Sequence, residues 1–158
     1  MILALPRAAY LRSMQGSPSP QFCCRAHVED QQLQNAPIIS IIDDDDSVRS
    51  SVRSLVRSLG LSARTFGSAE EFLQSPDLDD TSCLISDLQM PGLNGVELQR
   101  LLLAQGRRIP IIFVTAFPEE RIRVRAMESG ALGFLSKPFE CQSLIKLIDK
   151  ALATGRAT

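Results

Sequence analysis

The sequence predicts an α/β fold in which short strands alternate with helices and form one parallel sheet. After Pro37, short apolar runs alternate with longer segments whose apolar residues recur with the period of a helix, and this alternation is typical of a parallel sheet covered by helices. The chain has 158 residues, of which 44% are hydrophobic and 22% charged, which suits one globular domain. We therefore expect five strand–helix units, (βα)5, in a doubly wound sheet.

The five predicted strands are short runs rich in apolar residues, and the second is the weakest of them. In chain order they cover residues 38–42, 63–66, 83–86, 111–114 and 133–135.

The first two helices follow the first two strands. Apolar residues in the segment 48–59 form one stripe of a helix that stops at Gly60. Ser68 and Glu71 have the spacing of a capping box, which opens a short helix that carries Phe72.

The third and fourth helices are predicted from start and stop residues, and the fifth from its apolar residues. Asn94 or a neighbour begins the third helix. Pro118 suits the first turn of a fourth helix that ends at Gly130, and the apolar residues of the segment 144–152 mark the fifth.

Residues 1–36 are predicted to be a disordered leader, because they have no periodic apolar face and contain a polar stretch with prolines. The folded domain is expected over residues 37–153, with a short tail at residues 154–158. Residues 1–5 are too short for the apolar region of a signal peptide. We therefore interpret the four cysteines as reduced thiols of a cytoplasmic protein.

The composition argues against several classes of function. The net charge of −1 provides no overall field to attract nucleic acid or an acidic membrane, and no apolar run approaches the roughly 18 residues of a membrane span. The single histidine, His27, lies in the predicted leader. Catalysis by a histidine base and zinc sites that need several histidines are therefore not expected.

The residues that follow the predicted strands are the candidate functional residues, because ligands of open α/β sheets bind beyond the carboxyl ends of the strands. These positions bring carboxylates, hydroxyls and an amine to one edge of the sheet; they are Asp43, Asp44, Asp87, Thr115, Ser136 and Lys137.

Four consecutive aspartates occupy residues 43–46. For Asp46 or Ser47 we favour the role of a helix N-cap. Asp43 and Asp44 directly follow an apolar strand, and together with Asp87 they concentrate like charge, which repels itself unless a cation is bound. Carboxylates gathered on one side suit Mg²⁺, whereas the spacing excludes a calcium EF-hand loop.

Asp87 begins a long turn, Asp-Leu-Gln-Met-Pro-Gly-Leu-Asn-Gly, that exposes its carboxylate before the third helix. A carboxylate can act as a nucleophile toward phosphorus when a metal neutralises the site and a cation holds the phosphoryl oxygens. Lys137 is the candidate cation and Thr115 the candidate hydroxyl donor.

Four motifs, in this order and spacing, resemble the receiver domain of two-component response regulators: Asp43-Asp44, the turn at residues 87–95, Thr115-Ala116 and Lys137-Pro138-Phe139. The segments 68–73 and 125–131 resemble the FixJ-like group of that family. The resemblance covers about residues 37–152 and implies a flavodoxin-like fold with strand order 2-1-3-4-5 and a cis Lys137–Pro138 bond.

The resemblance also implies roles for single residues. Asp87 would be the phosphoacceptor, and Asp43, Asp44 and Asp87 would hold Mg²⁺ together with the backbone carbonyl of Gln89. The phosphoryl group would be bound by Thr115, by the Ala116 N–H and by Lys137, and Phe134 would be the switch aromatic, without the hydroxyl of the commoner tyrosine.

By the same resemblance, Asp87 would take its phosphoryl group from a sensor histidine kinase or a phosphotransfer protein, and water would later hydrolyse it. The domain would then not be an enzyme but a signalling switch that catalyses the phosphorylation and dephosphorylation of its own aspartate. Its downstream protein target would contact the face made by the fourth helix, the fifth strand and the fifth helix. Whether phosphorylation drives dimerisation stays open.

Three interpretations remain at this point. We favour a stand-alone receiver that acts through protein contacts. A truncated FixJ-like transcriptional regulator and an unphosphorylated pseudo-receiver are the alternatives, although the intact set of site residues argues against the last. The arginines of the segment 121–125 alternate with apolar residues and lie near several glutamates, so we do not expect this chain to contact DNA.

Overall fold

The computed structural model describes residues 36–156 and confirms the predicted fold class. Within these residues, five parallel strands form one sheet in the order β2-β1-β3-β4-β5. The strands are β1 (Ile38–Ile42), β2 (Ser62–Phe66), β3 (Thr81–Asp87), β4 (Ile111–Thr115) and β5 (Gly133–Ser136). The helices are α1 (Asp46–Ser58), α2 (Ala69–Leu73), α3 (Gly95–Ala104), α4 (Glu120–Glu128) and α5 (Cys141–Arg156), with a short 3₁₀ helix at Pro76–Leu78.

Three strands extend one residue further at their carboxyl ends than predicted. Asp87, Thr115 and Ser136 are the last residues of β3, β4 and β5 rather than the first residues after them. The reason is that the ladders continue to these positions, where Asp87 pairs with Val114 and Thr115 pairs with Ser136. The candidate residues are therefore held by sheet pairing as well as by the loops.

The N-cap of α1 is Asp45, so the predicted cap at Asp46 or Ser47 was wrong by one or two residues. The Asp45 Oδ1 atom accepts hydrogen bonds from the N–H of Ser47 at 2.8 Å and of Val48 at 3.4 Å. Because Asp45 caps α1, the carboxylates of Asp43 and Asp44 do not cap this helix.

Two other helix boundaries differ from the prediction. Helix α4 begins at Glu120, because Glu119 is still extended (φ −104°, ψ 123°), so Pro118 lies before the helix instead of in its first turn. Helix α5 continues to Arg156, and the Thr154 hydroxyl donates to the Lys150 carbonyl at 2.9 Å. The start of the predicted tail, at residue 154, therefore belongs to this helix.

Each face of the sheet has its own apolar cluster. The face covered by α1 and α5, here called the α1–α5 face, buries strand residues against Val52, Val56, Leu144, Ile148 and Ala151. The face covered by α2, α3 and α4, here called the α2–α4 face, buries strand residues against Ala69, Phe72, Leu98, Leu102 and Ala126.

The cysteines that the structure describes are both free thiols. Cys83 is buried, and burial raises its pKa to about 12, whereas Cys141 is exposed. Cys23, Cys24 and nearly all of the predicted leader lie outside the described residues. Among residues 36–156, no helix is both long and apolar enough to cross a membrane.

Candidate functional site

Three carboxylates converge at the carboxyl edge of the sheet. Asp43 and Asp44 follow β1, and Asp87 ends β3, which lies beside β1 in the sheet. One carboxylate oxygen from each of the three lies within 4.8 Å of the others. Asp43 and Asp87 are buried, with only 3% and 7% of their surface exposed, whereas Asp44 is exposed. The prediction that the turn exposes the Asp87 carboxylate was therefore wrong, because Asp87 belongs to the end of β3.

Lys137 connects the two buried carboxylates. Its Nζ atom donates to Asp43 Oδ2 at 2.7 Å and to Asp87 Oδ2 at 3.2 Å. These contacts join residues that are 94 and 50 positions apart in the chain. The peptide bond that follows Lys137 is cis, in agreement with the motif resemblance.

Burial and charge act in opposite directions on this cluster. Burial raises the pKa of Asp87, and the nearby charge of Asp43 raises it further, while the Gln89 N–H and Lys137 lower it in part. Burial pulls the pKa of Lys137 down, but its hydrogen bonds and charge interactions with Asp43 and Asp87 outweigh burial, so its pKa is raised overall. Lys137 therefore stays an ammonium and offsets one of the three carboxylate charges.

Asp43 is also held by its own loop. Its Oδ1 atom accepts from the Asp45 N–H at 2.9 Å. Arg49, in the first turns of α1, donates to the Asp43 backbone carbonyl and forms an ion pair with Asp46. Arg49 was not predicted as part of this region, because its sequence signal is limited to its spacing of three residues from Asp46 on a helix.

The loop between β3 and α3 carries Gln89. Leu88 and Met90 on either side are buried, so Gln89 points into solvent between two anchored neighbours. Its N–H donates to Asp87 Oδ1 at 3.1 Å, and the Gly95 N–H at the start of α3 donates to the Leu88 carbonyl at 3.0 Å. The loop thus folds back on the carboxylate that it follows.

Thr115 ends β4 and is fully buried. Its Oγ1 atom accepts from the Phe117 N–H at 3.2 Å, so its hydroxyl proton can still be donated to a ligand. The Lys137 N–H donates to the Thr115 carbonyl at 2.8 Å, which ties the ends of β4 and β5 together. Ala116, next in the chain, is exposed.

Among the described residues, two predicted positions form no hydrogen bond or ion pair with the carboxylate cluster. Phe134, on β5, is half-buried and packs against the apolar cluster of the α2–α4 face. Ser136, at the end of β5, is exposed, and Thr115 pairs with it in the ladder. Phe134 therefore has contact with the core rather than with the charged groups.

The donor set of this site fits a divalent cation with oxygen ligands. Three carboxylates lie near one ammonium group, so the cluster has an excess of negative charge. Two of the three carboxylates are buried. Mg²⁺ takes a few carboxylate ligands from one side and keeps several water molecules. The exposed Asp44 lies on the side of the cluster where such water could reach.

Known proteins share both features of this molecule, the parallel (βα)5 sheet with this strand order and the lysine that bridges two aspartates at the carboxyl edge. Residues 39–149 match the family model of the response regulator receiver domain. The chain belongs to this family, and it contains the receiver domain of a two-component response regulator. Receiver domains of response regulators act as signalling switches.

Several relatives and solved structures are similar to this chain. Nodulation protein W of Bradyrhizobium diazoefficiens is 44% identical over 119 residues, which cover 75% of this chain and 52% of that protein. Transcriptional regulatory protein FixJ of the same species is 38% identical over 114 residues, 72% of this chain and 56% of that protein. The chain thus spans about half the length of the curated relatives it matches. The crystal structure of FixJ-N superposes with a TM-score of 0.67 at 34% identity, covering 74% of this chain and 94% of that one.

Proposed function

We propose that Asp87 accepts a phosphoryl group from a phosphohistidine on a partner histidine kinase or phosphotransfer protein. The observation that carries this proposal is the contact of Lys137 Nζ with both Asp43 Oδ2 and Asp87 Oδ2, inside a cluster that also contains Asp44. In the proposed step an Asp87 carboxylate oxygen attacks phosphorus while the bond between phosphorus and the partner's imidazole nitrogen breaks. The partner supplies the histidine.

The proposed cofactor is Mg²⁺, held by Asp43, Asp44, Asp87 and the backbone carbonyl of Gln89. When bound, it would neutralise charge on the phosphoryl group as that group approaches the carboxylates. The arrangement of the carboxylates supports this proposal, because one ammonium group leaves them with uncompensated charge.

The chain's own residues would bind the transferred group. Lys137 would offer its ammonium to a phosphoryl oxygen, and the Thr115 hydroxyl and Ala116 N–H would donate to the others. The position of Thr115 supports this role, because its oxygen already accepts a hydrogen bond and its proton is the group left to donate. Later hydrolysis by water would return Asp87 to its free carboxylate.

We further propose that phosphorylation changes the surface formed by α4, β5 and α5, where a downstream protein would bind. Phe134 lies in this region and packs against the apolar cluster of the α2–α4 face, which also contains Ala126 of α4, so a movement of its ring could change the packing of α4. Two free cysteines among the described residues are consistent with a reducing compartment, and we propose a cytoplasmic location.

Intact-mass measurement with acetyl phosphate and Mg²⁺ tests this function. We expect the wild-type chain to gain one phosphoryl group, and Asp87→Asn, or removal of Mg²⁺ with EDTA, to abolish the gain. The matched control is Asp45→Asn, which removes a nearby charge but keeps a side chain able to cap α1. A wild-type chain that gains no mass, or an Asp87→Asn variant that gains it normally, would contradict the proposal.

A further inference from the structure

We propose that Glu70 is a positioning residue for the phosphorylation site, because its carboxylate fixes the loop between β3 and α3. This inference rests on the proposed function, since the loop carries Gln89, a proposed metal ligand. Glu70 lies on α2, far from the site in sequence and outside the carboxylate cluster.

The contact that supports this role is long-range. Glu70 Oε1 accepts a hydrogen bond from the Leu93 N–H at 2.9 Å, across 23 residues of chain. This bond lowers the pKa of Glu70 below its ordinary value, so the side chain is a carboxylate at neutral pH. The other backbone bonds described for this loop, at Gln89, Asn94 and Gly95, are made with residues close in sequence.

The loop is shaped to admit this carboxylate. Gly92 has a φ of +82°, which favours glycine, and a Cβ atom at that position would lie 2.6 Å from Glu70 Oε1. Glycine therefore satisfies two requirements here, the backbone conformation and the close approach of Glu70.

Helix α2, which carries Glu70, is held in place by burial and by its N-cap. Ala69, which precedes Glu70, and Phe72 are fully buried. The Ser68 side chain caps the helix by accepting a hydrogen bond from the Glu71 N–H at 3.2 Å. Glu70 itself is exposed. Its carboxylate thus spans from an anchored helix to a loop that has no regular secondary structure of its own between residues 88 and 94.

The consequence for the site follows from the order of residues in the loop. Leu93 is held by Glu70, and at the other end Gln89 is held by Asp87 Oδ1 at 3.1 Å. Without the bond to Glu70, the segment from Gln89 to Leu93 has more conformations, and its first residue, the proposed metal ligand, must be ordered when the metal binds. Groups that orient metal ligands typically alter metal affinity without supplying a ligand themselves.

The chain offers a matched control on the same helix. Glu71 is adjacent, carries the same charge and also accepts from a backbone N–H, that of Gly67 at 2.8 Å. Its bond is local, however, and does not reach the loop. Glu70→Ala and Glu71→Ala therefore remove the same charge and the same type of hydrogen bond, but only the first removes the tie to the loop, while Glu70→Gln keeps an acceptor oxygen.

Three measurements on the full chain test the proposal. In metal-free protein, hydrogen exchange of the Leu93 amide, followed by NMR, should become about tenfold faster in Glu70→Ala. Mn²⁺ affinity, followed by electron paramagnetic resonance, should fall about tenfold in the same variant. Phosphorylation by acetyl phosphate at saturating Mg²⁺ should stay within about twofold of wild type, because a group that orders a ligand affects metal affinity more than the reaction of the loaded site. Glu70→Gln and Glu71→Ala should resemble wild type in all three.

Each contrary outcome has a distinct meaning. If wild type binds Mn²⁺ and Glu70→Ala binds it equally well, the positioning role is wrong while the proposed function stands. An equal loss in Glu71→Ala would also overturn it, because charge rather than the loop contact would then be responsible. If wild type neither binds Mn²⁺ nor gains a phosphoryl group, the proposed function itself is wrong, and the role of Glu70 at a metal site is wrong with it.

Discussion

On the α1–α5 face, two long helices pack against the sheet through apolar side chains, whereas on the α2–α4 face three shorter helices combine apolar packing with hydrogen bonds between distant segments. Helices α1 and α5 have 13 and 16 residues, and α2, α3 and α4 have 5, 10 and 9. The hydrogen bonds of the second face include Glu70 with the Leu93 N–H, and Gln99 Nε2 with the Ala126 carbonyl at 3.2 Å.

The loop after Asp87 belongs to the second of these faces. Leu88 and Met90, which flank Gln89, are members of the apolar cluster that also contains Phe72 and Leu98. The α2–α4 face therefore supports both the fold and the shape of the candidate site. The α1–α5 face supports the fold and anchors β1 and β3 from the opposite side, and it also contributes Arg49 of α1, which donates to the Asp43 backbone carbonyl.

The largest expected contrast between the faces comes from truncating one large core residue on each. Phe72→Ala should lower the free energy of unfolding by about 3–5 kcal/mol, because Phe72 is fully buried. Its ring also packs edge-on against the Phe66 ring, with 5.3 Å between the two ring centroids. Ile148→Ala should cost a comparable amount, about 2–5 kcal/mol. Of the two, only Phe72→Ala should also weaken Mn²⁺ binding, because α2 carries Glu70.

Urea unfolding followed by circular dichroism gives the stabilities, and Mn²⁺ titration of the folded variants gives the affinities. Phe72→Leu and Ile148→Val serve as milder versions if an alanine variant does not fold. An equal loss of Mn²⁺ affinity in the Ile148 variants would remove the distinction between the two faces.

A smaller contrast is expected from adding one methyl group on each face. A Cβ atom on Gly95 would lie 2.8 Å from the Asp87 backbone oxygen and 2.9 Å from the Phe113 ring. A Cβ atom on Gly133 would lie 2.6 Å from Leu147, but there the contact is with the end of a flexible side chain. We expect Gly95→Ala to cost about 2 kcal/mol and Gly133→Ala less than about 1 kcal/mol.

Chemical denaturation of both variants checks this order. Phosphorylation by acetyl phosphate adds a second readout, because a shift of the backbone at Asp87 should slow the reaction in Gly95→Ala and leave Gly133→Ala close to wild type. A Gly133→Ala variant that is the less stable of the two would show that the α1–α5 face is the more rigidly packed.

The sequence predicted the strands and the strand-end residues because both depend on local patterns. Apolar runs marked the strands, and the rule that parallel strands share a carboxyl edge brought Lys137 together with Asp43 and Asp87, although they are far apart in the chain. The cap of α1 was misplaced because four identical aspartates give no local signal of which one accepts from the helix.

The role of Glu70 was not predictable in the same way. A glutamate in the first turn of a helix is common, because it interacts favourably with the helix dipole, and nothing in its surroundings indicates a bond to Leu93. Arg49 is similar, since its contact with the Asp43 carbonyl depends on how the loop before α1 turns. Contacts between an exposed side chain and a distant backbone group depend on the assembled fold, and they are where the pattern of a single sequence is least informative.

The smallest expected contrast concerns Gln99, whose side-chain amide on α3 donates to the Ala126 carbonyl of α4 on the α2–α4 face. Gln99 is 98% buried, and its Oε1 atom has no hydrogen-bond partner among the described residues. The Ala126 carbonyl that accepts from the Gln99 Nε2 atom also accepts from the Ala131 N–H at 3.0 Å, so this carbonyl keeps a partner when the Gln99 side chain changes.

Gln99→Leu, which keeps much of the volume and removes the unpaired oxygen, should raise the free energy of unfolding by about 1 kcal/mol. The exposed Gln142→Leu on α5 is the control, with an expected change below about 0.5 kcal/mol. A loss of stability in Gln99→Leu, measured by urea unfolding, would show instead that this hydrogen bond stabilises the packing of α3 against α4, and that the α2–α4 face depends on its polar contacts even where they are incomplete.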